Sequence, residues 1–477
     1  MIFNSLAFLV FAAVVVPLFW ALRSDRWRLP VLFAANFVFY GWWDWRFTGL
    51  LLGVVVMAWF FGIGIAKAKE IGGNSRAVLL WGCAVQLGVL GYFKYANFFA
   101  ENLRAALASV GWEPGWTTLN ILLPAGVSFY IFQAISYLAS VYNGSVGVER
   151  SFLRMGVYLG FFPHLVAGPI IRAHLFLPQL AKERVFDAGL FWEGCRKFAI
   201  GFLYKAVFAD NIAAAINPIW GSVESKSGVE ILGACVGFYG QIYFDFAGYS
   251  LMAIGAANWL GYTIPENFRF PYLAASVVDF WRRWHISLSS WLRDYVYIPL
   301  GGNRLGEGRR YVNLMVTMLL GGLWHGASWN FVIWGGLHGT ALAVNHLWSE
   351  SRERMSFLQK SPRWAKWGGV AVAWIGVQLF VMLCWVPFRA ESFADTLAVL
   401  EGLWSVVCGA GGAAKNFPWM LVLLPLAVDT FLVSQREGTG TWVVRKPVLA
   451  AALLALVVLV GILFMRLELV PFLYFQF

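Results

Sequence analysis

Residues 311–349 read YVNLMVTMLLGGLWHGASWNFVIWGGLHGTALAVNHLWS and contain no Asp, Glu, Lys or Arg. A helix needs about 20 apolar residues to cross a bilayer, so this run is long enough for two crossings. The polar sequence Ser328-Trp329-Asn330 lies near its middle and is the expected turn. The run therefore predicts two consecutive membrane helices.

The rest of the chain has the same apolar character. Of its 477 residues, 60% are hydrophobic and 13% are charged, whereas soluble domains average about 45–50% and about 25%. This composition excludes a soluble multidomain enzyme and a nucleic-acid-binding module. We expect an all-α polytopic membrane protein with about 11–14 transmembrane or re-entrant helices. Further charge-free runs are 1–22, 29–43, 47–66, 77–93, 114–148, 155–171, 246–265, 367–388 and 447–465.

The net charge of +11 indicates an orientation rather than a nucleic-acid partner. Lys and Arg are enriched in the cytoplasmic loops of membrane proteins. Basic clusters follow the first and third charge-free runs: Arg23, Arg26 and Arg28, then Lys67, Lys69 and Arg76. We therefore expect both the N-terminus and the C-terminus on the outer side, which in a bacterial inner membrane is the periplasm.

The segment 266–310 is rich in arginine and interrupts the apolar pattern. Its centre, 279–293, predicts one amphipathic helix at the cytoplasmic interface. The apolar side would carry Trp281, Trp284, His285, Leu288, Trp291 and Leu292, and the polar side Asp279, Arg282, Arg283, Ser290 and Arg293. Two interpretations stay open: the arginines contact lipid phosphates, or Arg282 and Arg283 bind an anionic cofactor such as coenzyme A.

Three histidines in apolar surroundings are candidate functional residues: His285, His325 and His338. An ionisable group at membrane depth is costly and is a functional candidate by default. Apolar surroundings favour the neutral imidazole, which can act as a general base toward a hydroxyl. The alternative for each is a histidine that is merely hydrogen-bonded inside a helix bundle. Their spacing matches no metal-binding motif, so no metal site is expected.

Charged residues inside apolar runs are expected to pair. Lys205 and Asp210 are five residues apart and are predicted to neutralise each other. For Asp245 the sequence leaves three roles open: an ion pair with an arginine, orientation of a histidine, or proton transfer. An ion pair is the favoured role, because an unpaired charge is expensive in apolar surroundings.

Several stretches resemble the membrane-bound O-acyltransferase (MBOAT) superfamily, and within it the bacterial branch that O-acetylates alginate. They are Val166–Pro169, Tyr243–Ser250, Asn267–Tyr272, Phe280–Ser289, Tyr297–Arg304 and Gly322–Trp329. The resemblance implies a ring of membrane helices with a cytoplasmic funnel. It also implies acyl transfer to a hydroxyl, with His325 at the position of the main catalytic histidine and His285 at that of a second polar residue. The implied donor is a cytoplasmic thioester, here acetyl-CoA, with no tightly bound cofactor.

The C-terminal tail, PFLYFQF, carries a further expectation. The resemblance suggests that such a tail can carry the acyl group on its tyrosine, here Tyr474. This residue is eight positions past Arg466, so an extended tail reaches at most about 26–29 Å. That exceeds the half-thickness of the hydrocarbon core, about 15 Å. The alternative is an aromatic anchor at the membrane interface.

These observations together predict one membrane domain over 1–477. It would comprise N-terminal spans (1–150), a catalytic core (151–350), C-terminal spans (351–466) and an extracytoplasmic tail (467–477). The expected function is to pass an acetyl group outward for O-acetylation of a polysaccharide such as alginate, His325 being the general base and Asp245 and His338 supporting residues. We expect the lipid bilayer and a periplasmic acetyltransferase of the serine-hydrolase-like SGNH type as partners. Cellulose, peptidoglycan or teichoic acid as acceptor, a transporter and a secretion scaffold stay open as alternatives.

Overall fold

A computed structural model describes residues 1–119, 121–354, 363–412, 418–419, 423, 447–466 and 472–473. The regular structure in these residues is helical throughout, without a strand. The chain divides into two compact units. Unit 1 comprises Met1–Phe198 and Tyr249–Pro265, and unit 2 comprises Ala199–Gly248 and Glu266–Phe477. The all-α class expected from the sequence is confirmed, whereas the division into one membrane domain with four segments stays a prediction.

Unit 1 is built from the N-terminal helices. They are α1 (Leu6–Ala21), α2 (Asp25–Gly41), α3 (Arg46–Glu70), α4 (Ser75–Leu90), α5 (Ala96–Ser109), α6 (Val127–Asn143), α7 (Phe152–Gly160), α8 (Phe162–Leu165) and α9 (Ala173–Leu180). A π-helical turn, Gly91–Tyr95, joins α4 to α5. The helices α10 (Ala188–Phe202) and α12 (Gly228–Trp259) contribute residues to both units.

Unit 2 holds the helices of the second half. They are α11 (Asp210–Trp220), α13 (Val277–Arg283), α14 (Ile286–Leu292), α15 (Glu307–His325), α16 (Trp329–Arg354), α17 (Arg363–Arg389), α18 (Phe393–Val407) and α19 (Pro447–Phe464). Two π-helical turns also belong to it, Leu203–Ala209 and Arg293–Tyr297.

Four helical stretches of the described chain are long and apolar enough to cross a membrane. They are Arg46–Glu70, Ser75–Ser109, Ala188–Trp220 and Gly368–Arg389. The apolar helices Leu6–Ala21 and Ala455–Phe464 are shorter. The chain is therefore a multi-pass membrane protein, and the expected total of about 11–14 transmembrane or re-entrant helices stays a prediction.

The interior of unit 1 pairs its buried polar side chains with one another or with main-chain groups. The His164 ring nitrogen Nε2 lies 3.0 Å from Gln133 Oε1. Asn36 accepts a hydrogen bond from the Phe162 main-chain N–H through its Oδ1 atom, at 2.9 Å. Because Phe162 begins α8, this bond satisfies a donor that the helix itself leaves without a partner.

The amphipathic segment of unit 2 differs from the continuous helix predicted over 279–293. Helix α13 ends at Arg283 and α14 begins at Ile286. Between them His285 has φ 43°, in the left-handed region that few non-glycine residues adopt. The first main-chain N–H of α14, that of Ile286, bonds to the Asn267 carbonyl at 2.9 Å instead of to α13. A tertiary contact with a distant residue thus ends the predicted helix.

The two sides predicted for this segment are retained despite the break. Of the predicted apolar side, Trp284, His285, Leu288, Trp291 and Leu292 are buried, and so are Phe280 and Ser287, which the prediction left out. On the polar side, Arg282 and Arg293 are exposed, and Trp281, expected on the apolar side, is half-buried. The apolar pattern therefore predicted burial correctly, although it did not predict the backbone path.

The run 311–349 forms two helices, as the sequence predicts. Helices α15 and α16 flank a turn at 326–328 and pack closely against each other. A Cβ atom added at Gly322 would collide with the Phe331 carbonyl oxygen, and one at Gly335 with the Met318 carbonyl oxygen. Glycine at these two positions lets the backbones approach, as small residues do between membrane helices.

We predict that Gly335→Ala destabilises the protein by about 1–3 kcal/mol, because the added methyl group meets backbone that cannot move alone. The matched control is Gly336→Ala, whose Cβ would meet only the flexible side chain of Leu319 at an ordinary 3.8 Å. Thermal unfolding in detergent measures the difference. Equal unfolding temperatures for the two variants would show that close α15–α16 packing is not required.

Candidate active site

His325 is the last residue of α15 and lies in an aromatic enclosure. Its side chain is buried, with 3% exposure. The ring centroids of Trp324, Trp334 and Phe388 lie 5.0, 5.0 and 5.2 Å from that of His325, all in edge-to-face geometry. Helices α15, α16 and α17 each supply one of these rings. The enclosure holds the imidazole out of bulk solvent and limits its rotation.

His285 is fixed by a polar contact in an otherwise apolar environment. It is fully buried, and its Nδ1 lies 3.2 Å from Asn267 Oδ1. The same oxygen accepts hydrogen bonds from the Ser287 main-chain N–H at 3.1 Å and from the Ser287 hydroxyl at 2.9 Å. Because Oδ1 is thereby an acceptor, Nδ1 must be the donor. In a neutral ring this leaves the basic lone pair on Nε2.

The structure brings His285 and His325 together. Their ring centroids are 6.3 Å apart, and the Trp324 ring packs against both, at 5.6 Å from His285 and 5.0 Å from His325. At this separation one reacting group between the rings can contact both imidazoles. Two imidazoles in a buried apolar site can deprotonate a hydroxyl and return the proton to a leaving group.

His338 lies behind this pair rather than within it. The Trp334 ring separates the two groups, with centroid distances of 4.8 Å to His338 and 5.0 Å to His325. His338 Nδ1 accepts a hydrogen bond from Trp281 Nε1 at 3.3 Å. His338 thus contacts two tryptophans of the aromatic wall, and its expected supporting role stays a prediction.

Asp245 belongs to a buried ion cluster with Lys205 and Asp210. The Lys205 ammonium Nζ lies 2.7 Å from Asp210 Oδ1 and 2.6 Å from Asp245 Oδ1. The predicted pairing of Lys205 with Asp210 is confirmed, because the π-helical turn Leu203–Ala209 brings residues five apart to one side. Asp245 pairs with this lysine and not with an arginine as the sequence suggested.

The C-terminal tail reaches the same residues. The main-chain N–H of Leu473 donates to Asp245 Oδ2 at 2.8 Å. The Phe472 ring lies 5.7 Å from that of Phe246, whose ring lies 4.6 Å from that of His285. Tyr474, the expected acyl carrier, lies outside the described residues. Leu473, which precedes Tyr474, is therefore the described residue nearest to it in the tail.

The two candidate arginines end α13, just before His285 in sequence, but they are more exposed than the enclosed imidazoles. Arg283 Nε bonds both carboxylate oxygens of Asp279 at 2.9 Å. Arg282 is exposed. Arg282 is therefore the more accessible of the two guanidinium groups, and the binding of an anionic cofactor by this pair stays a prediction.

Sequence analysis gave no role to Asn267 or to Phe246, although both lie in stretches that carry the family resemblance. Asn267 is 18 residues before His285, and Phe246 is 226 residues before Phe472. In both cases the partners lie in separate segments of the chain and not in one helix, so no local pattern indicates these contacts. Its place in Asn267–Tyr272, one of the stretches that carry the family resemblance, was the available signal for Asn267.

We predict that Lys205→Met destabilises the protein by about 3–5 kcal/mol, because it leaves two buried carboxylates without their cation. Lys197→Met is the matched control. Its ammonium is only partly buried and lies 3.6 Å from Glu193, so its loss should cost less than about 1 kcal/mol. Unfolding in mixed micelles measures both. Similar losses would show that the cluster at Lys205 does not depend on its central charge.

Comparison with known proteins identifies the class. Residues 147–385 match MBOAT, the membrane-bound O-acyltransferase family. This range includes Asn267, His285 and His325. The chain belongs to the membrane-bound O-acyltransferase family and is an acyltransferase. The transporter and the scaffold, which the sequence left open, are set aside because this family is one of enzymes.

Several curated relatives are similar over most of the chain. A probable alginate O-acetylase, AlgI, of Azotobacter vinelandii is 42% identical over 82% of this chain and 76% of its own length. A peptidoglycan O-acetyltransferase of Helicobacter pylori is 34% identical over 78% of this chain and 73% of its own length. A teichoic acid D-alanyltransferase of Bacillus subtilis is 28% identical over 60% of this chain and 78% of its own length.

Proposed function

We propose that this protein transfers an acetyl group from acetyl-CoA in the cytoplasm across the inner membrane for the O-acetylation of alginate. The observation that carries the proposal is the buried pair His285 and His325, 6.3 Å apart within the family-matched region. Alginate is the favoured acceptor because the AlgI relatives are 39–42% identical, against 34% for the peptidoglycan enzyme. Peptidoglycan is the second acceptor to test.

The proposed chemistry uses His325 as general base and His285 as its partner. His325 takes the proton of an acceptor hydroxyl, and the oxygen attacks the thioester carbonyl carbon. An ester C–O bond forms as the C–S bond breaks, and the departing thiolate takes up the proton. The hydrogen bond to Asn267 aims Nε2 of His285 away from the asparagine, so that this nitrogen can bind the acceptor proton or the hydroxyl.

The donor side of the proposal rests on charge. Coenzyme A carries phosphate groups, which guanidinium groups bind well. The exposed Arg282 on α13 is the residue that we assign to this contact. The arginine-rich composition of this segment supports a cytoplasmic position, where acetyl-CoA is available. No tightly bound cofactor is needed for this transfer.

The acceptor within this protein is proposed to be the hydroxyl of Tyr474. The preceding residues, Phe472 and Leu473, are buried beside Phe246 and Asp245, and Phe246 contacts His285. An acetyl-tyrosine formed there would be passed to a periplasmic transferase of the SGNH-hydrolase-like type, which acetylates the polymer. The loop charges support an extracytoplasmic position for the tail.

The central prediction concerns covalent labelling by radioactive acetyl-CoA. Purified protein in detergent should retain label, and both His325→Ala and Tyr474→Phe should lose it. General-base catalysis is worth about 10²–10⁴-fold, so His325→Ala should slow labelling by at least about a hundredfold. Label that needs His325 but survives Tyr474→Phe would remove the tyrosine carrier and keep the enzyme. Labelling unaffected by His325→Ala would overturn the assigned base.

A second prediction tests whether Asn267 orients the His285 ring or only packs against it. Asn267→Ala should lower the labelling rate by about tenfold or more, because it removes the acceptor that fixes the His285 ring. Asn267→Asp keeps an acceptor oxygen and should restore most of the rate. Equal rates for the two variants, both eluting as monodisperse protein, would mean that transfer does not depend on orientation of the His285 ring by this hydrogen bond.

A further inference from the structure

The last described residues of the chain are bound by two neighbouring side chains of α12. Phe472 and Leu473 are 1% and 4% exposed. Asp245 accepts the Leu473 main-chain N–H at 2.8 Å, and Phe246 packs its ring against that of Phe472. Asp245 therefore binds the main chain of the tail, and Phe246 contacts a side chain of the tail.

The ion cluster explains why Asp245 can make this contact. Its Oδ1 lies 2.6 Å from Lys205 Nζ, and its Oδ2 faces Leu473. The lysine balances the carboxylate charge and fixes the plane of the group, so that the second oxygen points to the tail. Gly248, one turn further along α12, lets this helix lie close to the main chain at Lys205. A Cβ there would lie 2.9 Å from the Lys205 main-chain nitrogen.

The contact is also adjacent to His285, the proposed partner of the base. The Phe246 ring is shared, with 5.7 Å to the Phe472 ring and 4.6 Å to the His285 ring. Residues 472 and 473 of the tail are thus held next to a ring that contacts His285. An unanchored tail would instead have to be ordered in each reaction cycle, at an entropic cost.

We propose that Asp245 is a positioning residue that anchors the C-terminal segment through the Leu473 main-chain N–H. Its role in transfer rests on the proposed function, whereas the anchoring itself does not. Because the bond is to the main chain, it depends on the N–H at position 473 and not on which side chain stands there. Proline at this position cannot donate the hydrogen bond.

The test compares Leu473→Pro with Leu473→Ala in the full-length protein in detergent. Leu473→Pro removes the donor and leaves Lys205, Asp210 and Asp245 untouched, whereas Leu473→Ala keeps the donor. The readout is the rate at which a carboxypeptidase releases residues 475–477, followed by mass spectrometry. Since a hydrogen bond to a charged acceptor is worth about tenfold or more, release should be about tenfold faster for Leu473→Pro. Leu473→Ala removes the same buried side chain but keeps the donor, so it is the reference for this comparison.

Asp245→Asn tests the other partner and should accelerate release as Leu473→Pro does. Equal release rates for Leu473→Pro and Leu473→Ala would overturn the anchor, whatever Asp245→Asn does. This assay contains no acetyl donor, so it reports on the anchor even where the proposed function fails.

Labelling with radioactive acetyl-CoA then measures the consequence for transfer. Leu473→Pro should lower the maximal labelling rate by about tenfold while the KM for acetyl-CoA is unchanged, because the tail and not the donor is displaced. Faster tail release with unchanged labelling would keep the anchor and remove the tail from the reaction. Faster release with labelling lost in proportion supports both the anchor and the tyrosine carrier.

Discussion

A polar side chain inside a membrane protein must find its partner within the protein, because hydrocarbon offers none. The candidate active site is organised by this constraint. Lys205, Asp210 and Asp245 are each at most 5% exposed and satisfy one another. Asn267 and His285 form the second such group. Each group joins segments that are distant in sequence, so the demand for internal partners also fixes how those segments pack.

Aromatic packing complements these polar contacts. The two imidazoles share the Trp324 ring, and the Trp334 ring stands between His325 and His338. Such rings prefer edge-to-face contacts at the centroid distances seen here. They supply rigid walls without competing for the imidazole protons. Few polar atoms at the site are thereby able to take part in chemistry. One of them is Nε2 of His285, which carries the lone pair because Nδ1 donates to Asn267.

The sequence predicted the features that depend on local pattern. The charge-free run 311–349 predicted α15 and α16, and the period of apolar residues over 279–293 predicted which side is buried. The break at His285 was not predictable in this way, because Asn267 causes it from 18 residues away. The contact of Leu473 with Asp245 spans 228 residues and follows no local rule either. Local periodicity predicts burial, whereas tertiary hydrogen bonds decide where helices end.

The unusual backbone at His285 connects the fold to the proposed chemistry. A non-glycine residue with positive φ costs free energy and persists only where surrounding contacts hold it. Here the contacts are those of Asn267, which binds Ile286 through its carbonyl and Ser287 and His285 through its side chain. One residue thus starts α14, ends α13 and sets the tautomer of the buried ring. In a regular helix through 279–293, His285 would have helical backbone angles and its ring would lack this acceptor. The break between α13 and α14 therefore gives the buried His285 ring a defined orientation.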